Sequence, residues 1–240
     1  MVFNNVSLQY IIECGGLFKL TMTYSLPLFP LNVVIFPEGL LPLRIFEARY
    51  LDMVRACLRN NTLFGVVAVC HDNPAEVPDK HKDKYDDALT EKPTLPFAKV
   101  GTTFSILETD VTTPGLFSIR CLGQQRFKVA TAIQQKNGLW VGEVEDMAAE
   151  TDMLIPDDLQ LTKVHLQRLI EALNAQNLAD IDMPIGKPYK INECAWVANR
   201  WCEIINMPLI QKQRLLELDS PLVRLELIQD LLVAEFSEKK

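Results

Sequence analysis

The 240-residue sequence is short of glycine and histidine, with ten of one and three of the other. It contains no GxxxxGK[ST] stretch. Gly186-Lys187 comes nearest, but Pro188 follows and no glycine stands five residues earlier. A backbone cradle for nucleotide phosphates needs both features, so a P-loop site is excluded. No apolar run approaches the ~20 residues of a bilayer-spanning helix. There is no basic excess either. The net charge of −7 argues against a nucleic-acid backbone as the main partner, because phosphate binding needs a basic surface. The six cysteines (14, 57, 70, 121, 194 and 202) form no CxxC pair. Scattered among apolar residues, they predict buried free thiols in a reducing cytoplasm rather than a disulfide framework. Nothing marks Ser105 or Ser118 as a nucleophile. Cys70, His71 and His81, with Asp72, Asp79 and Asp83, match no standard zinc spacing and read as side chains of a solvated loop. No metal or cofactor is expected.

What is present is concentrated in residues 26–50, LPLFPLNVVIFPEGLLPLRIFEARY. Proline fixes its own φ and lacks a backbone donor, so an apolar run with this many prolines cannot be a helix interior or a central strand. Pro27, Pro30, Pro37 and Pro42 divide the run into short extended pieces. Residues 31–36 and 40–46 read as strands, with Glu38-Gly39 as the turn between them. Arg44, Glu47 and Arg49 bring charge to the point where a helix begins.

Helical spacing follows over residues 49–58, with Tyr50, Val54, Cys57 and Leu58 on one face and Asn60-Asn61 as the stop. Residues 63–70 are a nearly continuous apolar strand, which predicts burial on both faces. Residues 71–92 carry seven acidic and four lysine side chains and read as a solvated loop. Strand signals then recur at 101–107, 116–122, 126–133 and 139–144, separated by Pro114-Gly115, Gly123 and the tight-turn pair Asn137-Gly138. Close spacing of this kind favours an antiparallel barrel. After Met147 the pattern is helical. Leu166, Leu169, Ile170 and Leu173 define one helix, and Asn192 is the expected N-cap of the next, which carries Trp196 and Trp201. Pro208 and Ser220-Pro221 mark two further helix starts. Trp201 is expected in the core and Trp196 between the two parts. Arg126 and Lys128 are expected on the wet side of a strand.

The segment LPLFPLNVVIFPEGLLPLRIFEARYLDMV resembles the opening motif of the Lon protease N-terminal, substrate-binding domain. The resemblance continues at FGVVAV (64–69), VGT (100–102) and GQQRFKV (123–129), and returns at QKQRLLELDSPLVRLELI (211–228). These pieces cover most of the chain from about Tyr24 onward. Glu38 departs from the pattern, which more often has a second glycine beside Gly39. The resemblance implies an α+β fold: a PUA-like antiparallel β-barrel with one helix over residues 24–150, followed by a C-terminal helical bundle over 151–240. Residues 1–23 are expected to be an extension, with Met22 as a candidate natural start.

The resemblance further implies a non-catalytic module that binds unfolded polypeptide or a protein partner. The best candidate surface is the proline-rich opening segment. Leu28, Phe29, Val34, Phe36 and Leu41 would offer an apolar patch, and Arg44, Glu47 and Arg49 the charges beside it. The competing reading is that the apolar five close the barrel core and the charges pair with one another or cap element ends; it ranks first for the charges and is expected for most of the apolar five. An RNA-binding barrel and a cryptic hydrolase, whose residues converge only in space, remain as alternatives. No membrane association is expected.

Overall fold

The computed structural model describes residues 6–9, 21–69, 95–113, 115–151, 153–176 and 183–238. The 71–92 segment and the candidate metal cluster around His71 and His81 lie outside them. Among the described residues, seven strands come first: β1 (Val6–Gln9), β2 (Thr21–Leu31), β3 (Leu40–Ile45), β4 (Phe64–Val69), β5 (Phe97–Thr113), β6 (Leu116–Gln134) and β7 (Trp140–Asp146). Helix α1 (Ala48–Asn60) lies between β3 and β4. Helices α2 (Gln160–Asn174), α3 (Cys194–Ile204), α4 (Leu209–Glu217) and α5 (Pro221–Glu238) complete the chain. No helix among the described residues is long and apolar enough to cross a membrane.

The sheet closes on itself. Its path runs β1-β2-β4-β5-β6-β3, and β7 pairs with both β2 and β6, so β2, β4, β5, β6 and β7 form a ring. All pairs are antiparallel except β2 with β4, where the α1 crossover brings the chain back in the same direction. β1 pairs with the start of β2, tying residues 6–9 to residues 21–24.

Contrary to the sequence expectation, Pro27 and Pro30 lie inside strand β2. The register explains why they are tolerated. β7 pairs with residues 23–28 of β2 and β4 with residues 28–31, so each proline sits where only one of these strands adjoins. A missing donor on the other side costs nothing there. The expected strand at 31–36 does not form. The Ile35 carbonyl accepts from Thr102 Oγ1 at 2.7 Å, and the Phe36 N–H donates to Glu203 Oε1 at 3.0 Å, so side chains take the place of a ladder. Nor does Gly123 end a strand. β6 runs through it, because a Cβ there would meet the Phe36 carbonyl at 2.6 Å and only glycine permits the approach.

Helix α1 follows the predicted pattern, except that Leu58 is exposed. It stops at Asn61, which adopts the left-handed conformation at φ 50°. β4 is buried on both faces, as its unbroken apolar run predicts. Asn192 does not cap α3. Glu193 holds that position, and Asn192 Oδ1 accepts instead from Lys163 Nζ at 2.7 Å. Pro208 stands one residue before α4 rather than inside it.

Apolar residues collect in three places. Leu28, Val67, Phe127 and Val144 fill the ring. Tyr50, Val54, Phe64 and Ile119 fill the space between sheet and α1. The third cluster joins Val34 and Phe36 to Leu166, Trp196, Trp201, Leu225 and Ile228. The strand-rich and helical parts therefore share a core, with Trp196 in the bridging position.

Candidate functional site

The turn at Pro37-Glu38-Gly39 is the hub of the junction between ring and helices. Glu38 adopts φ 61°, a conformation natural to glycine. Arg200 of α3 holds the turn from below: Nη1 donates to the Glu38 carbonyl and Nη2 to the Pro37 carbonyl at 2.7 Å. Nη2 also meets Glu203 Oε1 at 3.1 Å. Burial pushes the Glu203 carboxyl above the usual carboxylate range, while Arg200 and the Phe36 N–H pull it back. Lys190 Nζ reaches Glu38 Oε1 at 2.9 Å from the other side.

Beside this hub, two buried arginines cross-link the halves. Arg126 leaves β6 and donates through Nη1 to the carbonyls of Leu216 and Leu218, at 2.9 and 2.7 Å. Arg224 donates to the Leu215 and Leu218 carbonyls and, at 2.6 Å, to Asn199 Oδ1. Glu150 lies between the guanidiniums, 2.5 Å from Arg224 and 3.6 Å from Arg126. The sequence expectation put Arg126 in solvent, whereas it is 2% exposed. The carbonyls at the end of α4 need donors, and Arg126 supplies them.

The five apolar candidates of the proline-rich segment form no surface patch. Leu28, Phe29, Val34, Phe36 and Leu41 are all buried, divided among the three clusters. Arg44 and Glu47 are exposed and Arg49 is half-buried. Arg49 pairs with Glu47 at 2.7 Å, donates to the Gly138 carbonyl at 3.0 Å and stacks on Tyr50. Arg49 and Glu47 thus follow the structural reading, while Arg44 stands apart on β3.

The concave surface lies next to that segment. Past residue 104, β5 leaves the ring and forms a three-stranded wing with β6 and β3. One face of the wing covers α1. The other carries Leu40, Leu107 and Leu122 as the floor of a groove of roughly 410 Å³. Residues 183–189 and Trp196 form its opposite wall. Gly186 lets that wall press on the floor, since a Cβ there would stand 3.0 Å from Leu40 Cδ1. Arg120, paired with Glu108 at 3.6 Å, marks the edge of the apolar floor. Across Trp196 and Glu38 lies a smaller polar compartment of roughly 150 Å³, lined by Gln125, Arg126, Glu150 and Asn199.

The sequence profile of the ATP-dependent protease La (LON) substrate-binding domain matches residues 25–234. The chain belongs to that family. Among solved structures, the Lon N-terminal domain protein from Xanthomonas campestris is 30% identical, with a TM-score of 0.63 over 86% of this chain and 97% of that one. The N terminal domain of Mycobacterium avium complex Lon protease is 14% identical, with a TM-score of 0.53 over 86% of this chain and 96% of that one, and shares the fold. No curated protein matches. Members of the Lon substrate-binding family are therefore the frame for the groove.

The groove residues escaped sequence reasoning. Leu40, Leu107 and Leu122 look like any strand leucines, and only their three-dimensional register puts them on one open face. Arg200 and Arg224 left a faint signal: each is a lone cation in a nearly apolar helical stretch, CAWVANRWCEI and PLVRLELI. A charge there has a buried partner to satisfy.

Proposed function

We propose that this protein is a non-catalytic polypeptide-recognition module that seats apolar side chains of an extended, partly unfolded segment in the groove between the wing and residues 183–189. The observation that carries this reading is the apolar floor with Leu107 half open to solvent at its margin, 49% exposed. A cleft of this size suits a bulky side chain and its neighbours. The family membership agrees with it. Against a hydrolase, Glu203, Cys121 and Cys202, all pushed up by burial, line neither compartment, and Arg126, which burial lowers and which lines the polar one, is engaged by the Leu216 and Leu218 carbonyls. Four buried free thiols support residence in a reducing cytoplasm.

Leu107→Asp tests the reading without disturbing the core. Fluorescence anisotropy with a reduced, carboxymethylated model protein should show binding to the wild type. A carboxylate on the apolar floor should weaken that binding by about tenfold or more. Equal binding by both proteins, or none by either, refutes the proposal.

A further inference from the structure

The outer edge of β5 supplies a second element of recognition. Residues 97–104 of β5 are flanked by β4 on one side and β6 on the other, and the β4 register ends at Phe64↔Phe104. Beyond that point, among the described residues, β5 pairs with β6 alone. Among the described residues, no strand pairs with its other side over residues 105–113. Residues 107–111 are all exposed, with Val111 at 54%. Protein edges are ordinarily blunted by proline, lysine, bulges or a covering element, and register shifts interrupt this one between Ile106 and Glu108 and between Asp110 and Thr113. Residues 105–113 (SILETDVTT) contain neither proline nor lysine. Leu107 and Glu108 belong both to this edge and to the groove lining, so the two surfaces are continuous. The charges on the edge are Glu108 and Asp110. Arg120 neutralises the first in part, and Asp110 has no ion-pair partner among the described residues.

Building on the polypeptide-binding reading above, we infer that the bound segment adds as a strand to residues 105–113 of β5 and carries both apolar and basic side chains on the face it turns toward the groove. Strand addition satisfies the open backbone groups, and a period of two sends every second side chain toward the groove. Glu108 and Asp110, two residues apart, stand on that same face, so a lysine or arginine there finds them opposite. The occupant is therefore an extended, cationic-apolar stretch of another polypeptide.

The test uses the full chain and synthetic peptides: a Lys/Val peptide of repeat Lys-Ser-Val-Ser, which puts lysine and valine on one face, its Glu/Val counterpart, and two Lys/Val analogues N-methylated at the odd or at the even backbone amides. Affinity is read by anisotropy, and amide hydrogen exchange is followed at residues 107–111. Three results are expected. The Lys/Val peptide binds more tightly than Glu/Val, it slows exchange at residues 107–111, and one N-methylated register loses about tenfold in affinity while the other does not. The difference between registers follows because alternate N–H groups of an added strand face toward and away from the edge. If both analogues bind like the parent while Leu107→Asp still abolishes binding, strand addition is refuted and groove recognition by side chains survives. Equal affinity for Glu/Val refutes the charge preference. Slowed exchange at residues 107–111 with rising protein concentration and no peptide, together with a dimer in sedimentation, makes a second copy the occupant and overturns the inference.

Discussion

Arg224 has no exposed surface, yet its guanidinium is fully engaged: Leu215 and Leu218 carbonyls, Asn199, Glu150, and the face of Phe36 at 5.5 Å. Replacing one member of such a set leaves the others buried and unpaired, which costs more than the pair contributes. Arg224→Met should therefore lower stability by about 3–5 kcal/mol in urea denaturation. Glu150→Gln should couple to it strongly in a double-mutant cycle. Sequence reading could not find these roles because two of the four acceptors are backbone carbonyls, which carry no residue signature, and the other two lie far away in sequence. Thiols were easier. Burial pushes Cys121 and Cys202 up to about 12 and Cys194 to about 11. The neutral form is the one the core accepts, so their contribution is complete below the ordinary value of 9.0 and is lost as pH rises from there toward about 12. At pH about 8 these thiols should resist a thiol-labelling reagent until the protein unfolds, and alkaline unfolding followed by circular dichroism should begin above pH about 9.

At the scale of elements, the Pro37-Glu38-Gly39 turn separates two kinds of constraint. Gly39 is needed for space: a Cβ would lie 2.2 Å from Glu203 Oε1 and 2.9 Å from the Phe36 carbonyl. Glu38 is strained by conformation but open at its side chain, where Lys190 pairs with it. Gly39→Ala should cost about 1–3 kcal/mol. Glu38→Gly trades about 1 kcal/mol of relieved strain against a surface pair worth less, and should equal or exceed the wild type in denaturant midpoint. The departure from the family pattern at position 38 was legible in the sequence, and so were α1, β4 and the β6–β7 turn at Asn137-Gly138. Their signals are local, in periodicity, unbroken apolar runs and turn residues. The strand at 21–31 was misplaced because its tolerance for Pro27 and Pro30 depends on where neighbouring strands begin and end, which is a property of register.

On the scale of the whole molecule, the third apolar cluster decides how the two parts behave. Phe36 and Val34 from the strand-rich part pack with Trp196, Leu225 and Ile228 from the helices. Neither part keeps that core without the other. Calorimetry of the intact chain should show one transition, with van't Hoff and calorimetric enthalpies in agreement. Two resolved transitions would show that the halves fold independently. The succession of a strand-rich part and a helical part was readable from the change in pattern near Met147, but the fusion of the cores was not, because it depends on contacts between residues more than a hundred positions apart.

Trp196 stands in the wall between the apolar groove and the polar compartment, and the Arg200 guanidinium lies 5.8 Å from its ring. An arriving chain on either side alters the polarity beside that indole. The fold thus carries a built-in optical gauge, so occupancy can be followed by emission without attaching a dye to either molecule.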